Sequence, residues 1–189
     1  MRLLLSQVAL LGSLGLGAQA QATRPDTVAT RAQVLETTCA LFPAAARLPN
    51  VLPKAQQRAA RFTPTAAQAL VAEQALGQVN LLNVNSGRKS GQDSAYACAI
   101  SQRLGQYYRQ YYGFYNQRRQ PCLFINFLGD VAFTGEEIGL RPRPPGYVPY
   151  WLRQYVFIGD GGDNHWSIYY NLATGQFSQY WHNLDLGGG

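Results

Sequence analysis

Apolar and polar positions divide the chain into a few legible stretches. Behind Arg2, residues 3–17 are almost continuously apolar, and Ala18-Gln19-Ala20 follows as a small-x-small step. This is the pattern of a secretory signal peptide over residues 1–20, with an apolar run too short to span a bilayer. Cys39, the first cysteine, comes too late in the chain for a lipoprotein. Residues 21–27 read as a flexible leader and 28–189 as a single α+β domain.

Residues 28–42 allow a helix stopped by Pro43, and the three prolines in 43–53 predict irregular chain. A short helix fits Lys54 to Arg61. "FTPTAAQALVAEQALG" predicts a helix with Thr63 as cap, Pro64 at its first position and Gly77 past its end. "QVNLLNVN" (78–85) reads as a strand. A long helix is expected over 94–116, capped by Asp93 or Ser94, with Ala97, Ile100, Leu104, Tyr108, Tyr111 and Tyr115 along one stripe. "CLFINFLGD" (122–130) is an apolar strand after Pro121, so a parallel strand–helix–strand crossover is predicted. The proline-rich stretch 139–149 is unsuited to a core strand. Three strands at 154–159, 165–171 and 176–182 complete an antiparallel meander. The predicted architecture is therefore α+β. It has N-terminal helices, one strand–helix–strand unit and a C-terminal three-stranded meander, in one mixed sheet of about five strands.

Charge changes this picture in one respect. Residues 24–119 carry 12 basic and 4 acidic side chains, whereas 120–189 carry 3 and 6. A basic half favours an anionic partner such as glycan or an envelope component, or simply keeps the protein dispersed. No nucleic-acid motif is present. After removal of the leader no transmembrane span is expected, and the protein belongs in the periplasm or outside the cell. Export permits disulfides, and among Cys39, Cys98 and Cys122 the pair Cys98–Cys122 is the expected bridge. "ETTCALFP" supplies no base that would make Cys39 a nucleophile.

The densest chemistry lies in "YVFIGDGGDNHWSIYY" (155–170). If Asn171 faces Gln176, a regular ladder pairs Trp166 with Trp181 and His165 with His182. Pairing 154–159 with 165–171 then sets Asp160 beside His165. Asp160, His165 and His182 form a row that suits a zinc-like divalent ion, with Asp163 as a further ligand or acid/base group. A slip of one residue would set His182 beside Trp166 instead, and Gly175 makes a bulge possible. Otherwise these are turn residues and rim histidines, and no cofactor is needed. "DGGDNH" does not match a calcium loop.

Two further stretches invite a ligand. Arg88 and Lys89, in the loop before a helix, suit an anion, although Arg88 stands where a P-loop needs glycine. If strands 79–85 and 122–129 run parallel, Asp130 lies at the same end as that loop, and Asp130, Glu136 and Glu137 would then offer an acid and a base; otherwise this is a solvated loop. In "QYYRQYYGFY" (106–115) helical spacing leaves Tyr107 and Tyr112 as an exposed pair beside Arg109, a platform for stacking.

The "GDGG" strand–turn–strand stretch and the aromatics of 155–182 resemble those of SUKH-type immunity domains, toxin neutralisers that act by binding. The likeness stops short of the upstream chain, and the export signal departs from the usual cytoplasmic setting of that family. The leading expectation is a non-enzymatic binding module of the cell envelope or exterior. The rival is a metal-assisted hydrolase on Asp160, His165 and His182.

Overall fold

The computed structural model describes residues 27–50, 52–84, 91–129, 142–143, 145–159 and 161–182, with backbone alone for 91–94. The expected signal peptide lies outside the described residues. So do Arg88, Lys89, Asp130, Glu136, Glu137 and Asp160.

The chain opens with a hairpin, β1 (Thr30–Val34) and β2 (Thr37–Leu41), where a helix over 28–42 was predicted. Val34, Thr37 and Thr38 are β-branched and suit a pleat better than a helix. Leu35 turns the hairpin at φ 51°, in the left-handed region. Next come α1 (Lys54–Gln57), β3 (Arg61–Phe62) and α2 (Ala66–Leu76). The cap of α2 is Thr65, not Thr63. Its hydroxyl accepts from Gln68 N (3.2 Å) while Gln68 Oε1 accepts from Thr65 N (2.9 Å), a reciprocal box that satisfies two end donors.

Residues 81–83 form a single 3-10 turn rather than a strand, with Asn80 Oδ1 accepting from Leu82 N at 3.0 Å. Helix α3 (Gly91–Gln102) ends well short of 116. The tyrosine-rich run is instead β4 (Tyr108–Tyr115), followed by β5 (Pro121–Leu128), α4 (Tyr150–Arg153), β6 (His165–Asn171) and β7 (Gln176–His182).

The sheet runs β1-β2-β4-β5-β6-β7, and β3 also pairs with β4. It is mixed and has seven strands among the described residues, where about five were expected. β2 and β4 run parallel and the other pairs antiparallel. The expected crossover from 78–85 to 122–130 is therefore replaced by the β4–β5 hairpin. Gly113 allows β3 its close approach, since a Cβ there would stand 2.5 Å from Phe62 O.

The predicted strand at 154–159 is irregular chain. Its polar backbone groups are met by side chains of the sheet beneath it. Gln110 Nε2 donates to Gln154 O (2.7 Å), Asn126 Nδ2 to Val156 O (3.0 Å), and Val156 N to Gln110 Oε1 (3.0 Å). With those groups satisfied the segment has no need of a strand partner. The three-stranded meander does exist, but β5, β6 and β7 make it.

Two cores flank the sheet. On one face Tyr111, Ile125, Phe127, Trp166 and Ile168 pack under Ala69, Ala72 and Leu76 of α2 and Ala97 and Ile100 of α3. On the other, Tyr112, Phe114 and Phe124 pack under Phe42, Leu48, Leu52, Trp151 and Val156, which lie mostly in irregular chain. Cys98 sits exposed on α3, whereas Cys122 belongs to the core on the opposite face. That separation explains why the expected Cys98–Cys122 bridge is not formed, and Cys39 is free as well. No helix among the described residues is long and apolar enough to cross a membrane.

Candidate functional site

The last hairpin begins as the sequence implies, with Asn171 opposite Gln176 and Tyr170 opposite Phe177. It then shifts. Gln179 takes a left-handed backbone (φ 54°), and beyond it Ser167 faces Trp181 and Trp166 faces His182. One inserted residue turns every later side chain of β7 over. His182 therefore lies on the helical side, its ring 4.8 Å from Tyr96 and 5.6 Å from Tyr180. Trp181 occupies the other side, 5.6 Å from His165.

The expected row of Asp160, His165 and His182 is corrected by this register. The two imidazoles point to opposite faces of the sheet, and Asp160 lies outside the described residues. His165 is fully buried, with Nε2 2.9 Å from Asn126 Oδ1. Burial lowers its pKa to about 4, against hydrogen bonds to the backbone of Ile158 and Val156 that act in the other direction. Asp163 lies in a 3-10 turn (Gly162–Asn164) and is ion-paired with Arg103. Tyr107 Oη donates to the Asp163 carbonyl at 2.7 Å. Its position ties the β6 entry to the start of β4. Among the described residues no three His, Cys, Asp or Glu side chains cluster as ligands.

The stacking platform is also corrected. Strand alternation replaces helical spacing, so Tyr107, Arg109 and Tyr112 are all buried. Tyr107 and Arg109 face the helices, and Tyr112 stacks on Phe42 at 4.3 Å on the other side. Arg109 is paired with Glu73.

A cleft of about 400 Å³ opens instead at the β4–β5 turn, between that turn and the end of α1. Tyr115, Asn116, Gln117, Arg118, Gln120 and Asn171 line its polar wall. The amides are pre-set by one another. Asn116 Nδ2 and Asn171 Nδ2 both donate to Gln120 Oε1 at 3.0 Å. Asn116 Oδ1 accepts from the backbone of Arg118 and Gln120, both at 2.9 Å, and shapes the turn. With its Oε1 taken twice, Gln120 keeps its amide N–H groups as donors for a ligand. Gln56 Oε1 is buried at the cleft without a partner, and the Tyr115 ring is 37% exposed.

Arg118 is the one charged side chain in the cleft lining among the described residues, and the stretches 54–59 and 115–120 carry Lys54, Arg58 and Arg119 beside it and no acid. All four cations are exposed. Neutral amides, a ring edge and one arginine without a carboxylate in the lining can hold a hydroxyl-rich anionic molecule. A helix over 94–116, as the spacing predicts, leaves no turn at 116–120 and so hides this site. The available signal was the polar turn "NQRRQ" between an aromatic run and Pro121, which is hairpin spacing. No protein-family model, curated protein or solved structure matches this chain.

Proposed function

We propose that this protein is an exported, non-enzymatic binding module whose cleft at the β4–β5 turn takes an acidic saccharide of the cell envelope or exterior. The observation that carries the reading is the lining of that cleft, amides and an exposed tyrosine with Arg118 and no carboxylate. Its size falls in the range of small-ligand sites, about 300–1,000 Å³. Amides offer paired donors and acceptors to sugar hydroxyls, Tyr115 offers a flat ring to a pyranose, and Arg118 meets a carboxylate or sulfate. The hydrolase reading has no such support, because its two histidines face apart.

The test is titration of the leader-free protein with uronic-acid oligosaccharides and their neutral counterparts at low and high salt. Acidic sugars should bind better, and binding should weaken as salt screens Arg118. Arg118→Glu should reduce affinity by roughly tenfold or more, and Tyr115→Ala should also weaken it. Arg118 is exposed, so the unfolding temperature of Arg118→Glu should stay near wild type. Equal binding of acidic and neutral sugars, or full retention of binding by Arg118→Glu, defeats the proposal.

A further inference from the structure

A second polar cluster lies on the face of the sheet covered by irregular chain. Arg61 Nη2 and the hydroxyls of Tyr112 and Tyr155 are buried there with no hydrogen-bond partner. The three belong to one neighbourhood. Arg61 is opposite Phe114 in the β3–β4 pair, so its side chain shares the face of Phe114 and Tyr112. Its Nε donates to Gly113 O (2.9 Å) and its Nη1 to Ala46 O (3.2 Å). Those bonds fix the guanidinium plane and leave Nη2 over. The ring of Tyr112 lies 6.1 Å from Phe124, and Phe124 lies 6.0 Å from Tyr155. Tyr112 lies within electrostatic range of both Arg61 and Tyr155.

Three buried unpartnered polar groups on one face of the sheet, with Tyr112 near both of the others, are unusual, because buried polar groups are almost always paired. The charge is the more telling part. Both bonds of Arg61 go to neutral carbonyls, and neither ion pair among the described residues involves it. A half-buried guanidinium without a counter-charge is costly. Water would satisfy the N–H but leave that charge unmet. A small anion would accept from Nη2 and from both phenols at once, and each phenol can turn its O–H toward it.

We propose that Arg61, Tyr112 and Tyr155 form an internal binding site for a small inorganic anion of halide or nitrate size. The anion supplies the missing charge and holds β3 and the 155–158 segment onto the sheet. The site is separate from the saccharide reading of the cleft and stands or falls without it.

Thermal unfolding tests this at fixed pH and fixed ionic strength, with chloride, bromide or nitrate exchanged against the buffer sulfonate MES, which is too bulky to enter and carries no sugar hydroxyls. The unfolding temperature should rise by several degrees and saturate as the small anion is increased. Arg61→Gln should abolish the rise, and Tyr155→Phe should shift saturation to higher concentration. The same temperature in every anion, or an undiminished rise in Arg61→Gln, overturns the proposal. Should Arg61→Gln fail to fold, Tyr155→Phe decides alone, since it removes one oxygen and keeps the ring. An unchanged anion response in that variant, or equal stabilisation by it in every salt, overturns the site.

Discussion

Arg109 and Glu73 meet through two parallel hydrogen bonds inside the core, Nε to Oε1 at 3.0 Å and Nη2 to Oε2 at 3.2 Å. The Tyr111 hydroxyl donates to the same carboxylate, and Arg109 also donates to the carbonyls of Tyr107 and Leu104. Its guanidinium lies 4.9 Å from the centre of the Phe127 ring, and Phe127 stacks on Trp166 at 3.5 Å. The pair thus joins α2 to the three central strands. Removing one partner leaves a buried charge without compensation. Glu73→Gln and Arg109→Met should each lower stability by about 3–5 kcal/mol. Glu73→Gln combined with Arg109→Met should cost far less than the sum of those two single changes. A urea-unfolding double-mutant cycle measures this, and additive losses would show that the pair does not act as a unit.

His165 gives the protein a directional response to acid. Its unfolded pKa is about 6.5 and its folded pKa is lowered to about 4 by burial. Between those values the unfolded chain binds the proton and the folded protein does not, so stability falls as pH falls. The contribution is complete above pH ~6.5 and is lost by about pH 4, amounting to roughly 3 kcal/mol at most. Unfolding free energies measured from pH 7 to pH 4 should show this slope, and His165→Gln should flatten it. A His165→Gln profile parallel to wild type would remove the histidine from the explanation.

The three thiols should differ sharply in reactivity. Cys98 is exposed on α3. The Cys39 thiol is pushed up to about 12, first by burial and then by the Glu73 carboxylate nearby, and burial also raises Cys122. Since the thiolate is the reacting species, brief alkylation of the native protein should modify Cys98 alone. Cys98→Ser should then take up no label until it is unfolded. Peptide mass spectrometry reads this directly, and native Cys39 labelling at the rate of Cys98 would contradict the packing of β2.

How much of this was legible depends on where each segment finds its partners. The strands β5, β6 and β7 are apolar runs bounded by turn residues, and α2 carries its start signal in Thr65 and Gln68. Those features are local. The β1–β2 hairpin turns at Leu35 without glycine or asparagine, so nothing marked it. In 106–115 the tyrosines fit both a helical stripe and strand alternation, and aromatic preference for strands was the only local tie-breaker. Segment 154–159 has a strand's composition, but its backbone is satisfied by Gln110 and Asn126, partners about 30–45 residues away. The polar cleft was hidden for the same reason, since its walls come from α1, the β4–β5 turn and Asn171.

The register of β7 rests on a single residue. Gln179 sits at φ 54°, a conformation that costs an L side chain about 1–2 kcal/mol. Glycine removes that penalty but adds freedom to the unfolded chain, so Gln179→Gly should be neutral or stabilising by about 0.5–1 kcal/mol. Valine is β-branched and fits the left-handed region worst, so Gln179→Val should lose roughly 1–2 kcal/mol or more. The residue is exposed, which excludes packing as the cause of either change. Denaturant unfolding of the two variants separates the alternatives. If valine were tolerated as well as glycine, the backbone at 179 would be extended, the ladder would run straight, and His182 would return to the face of His165.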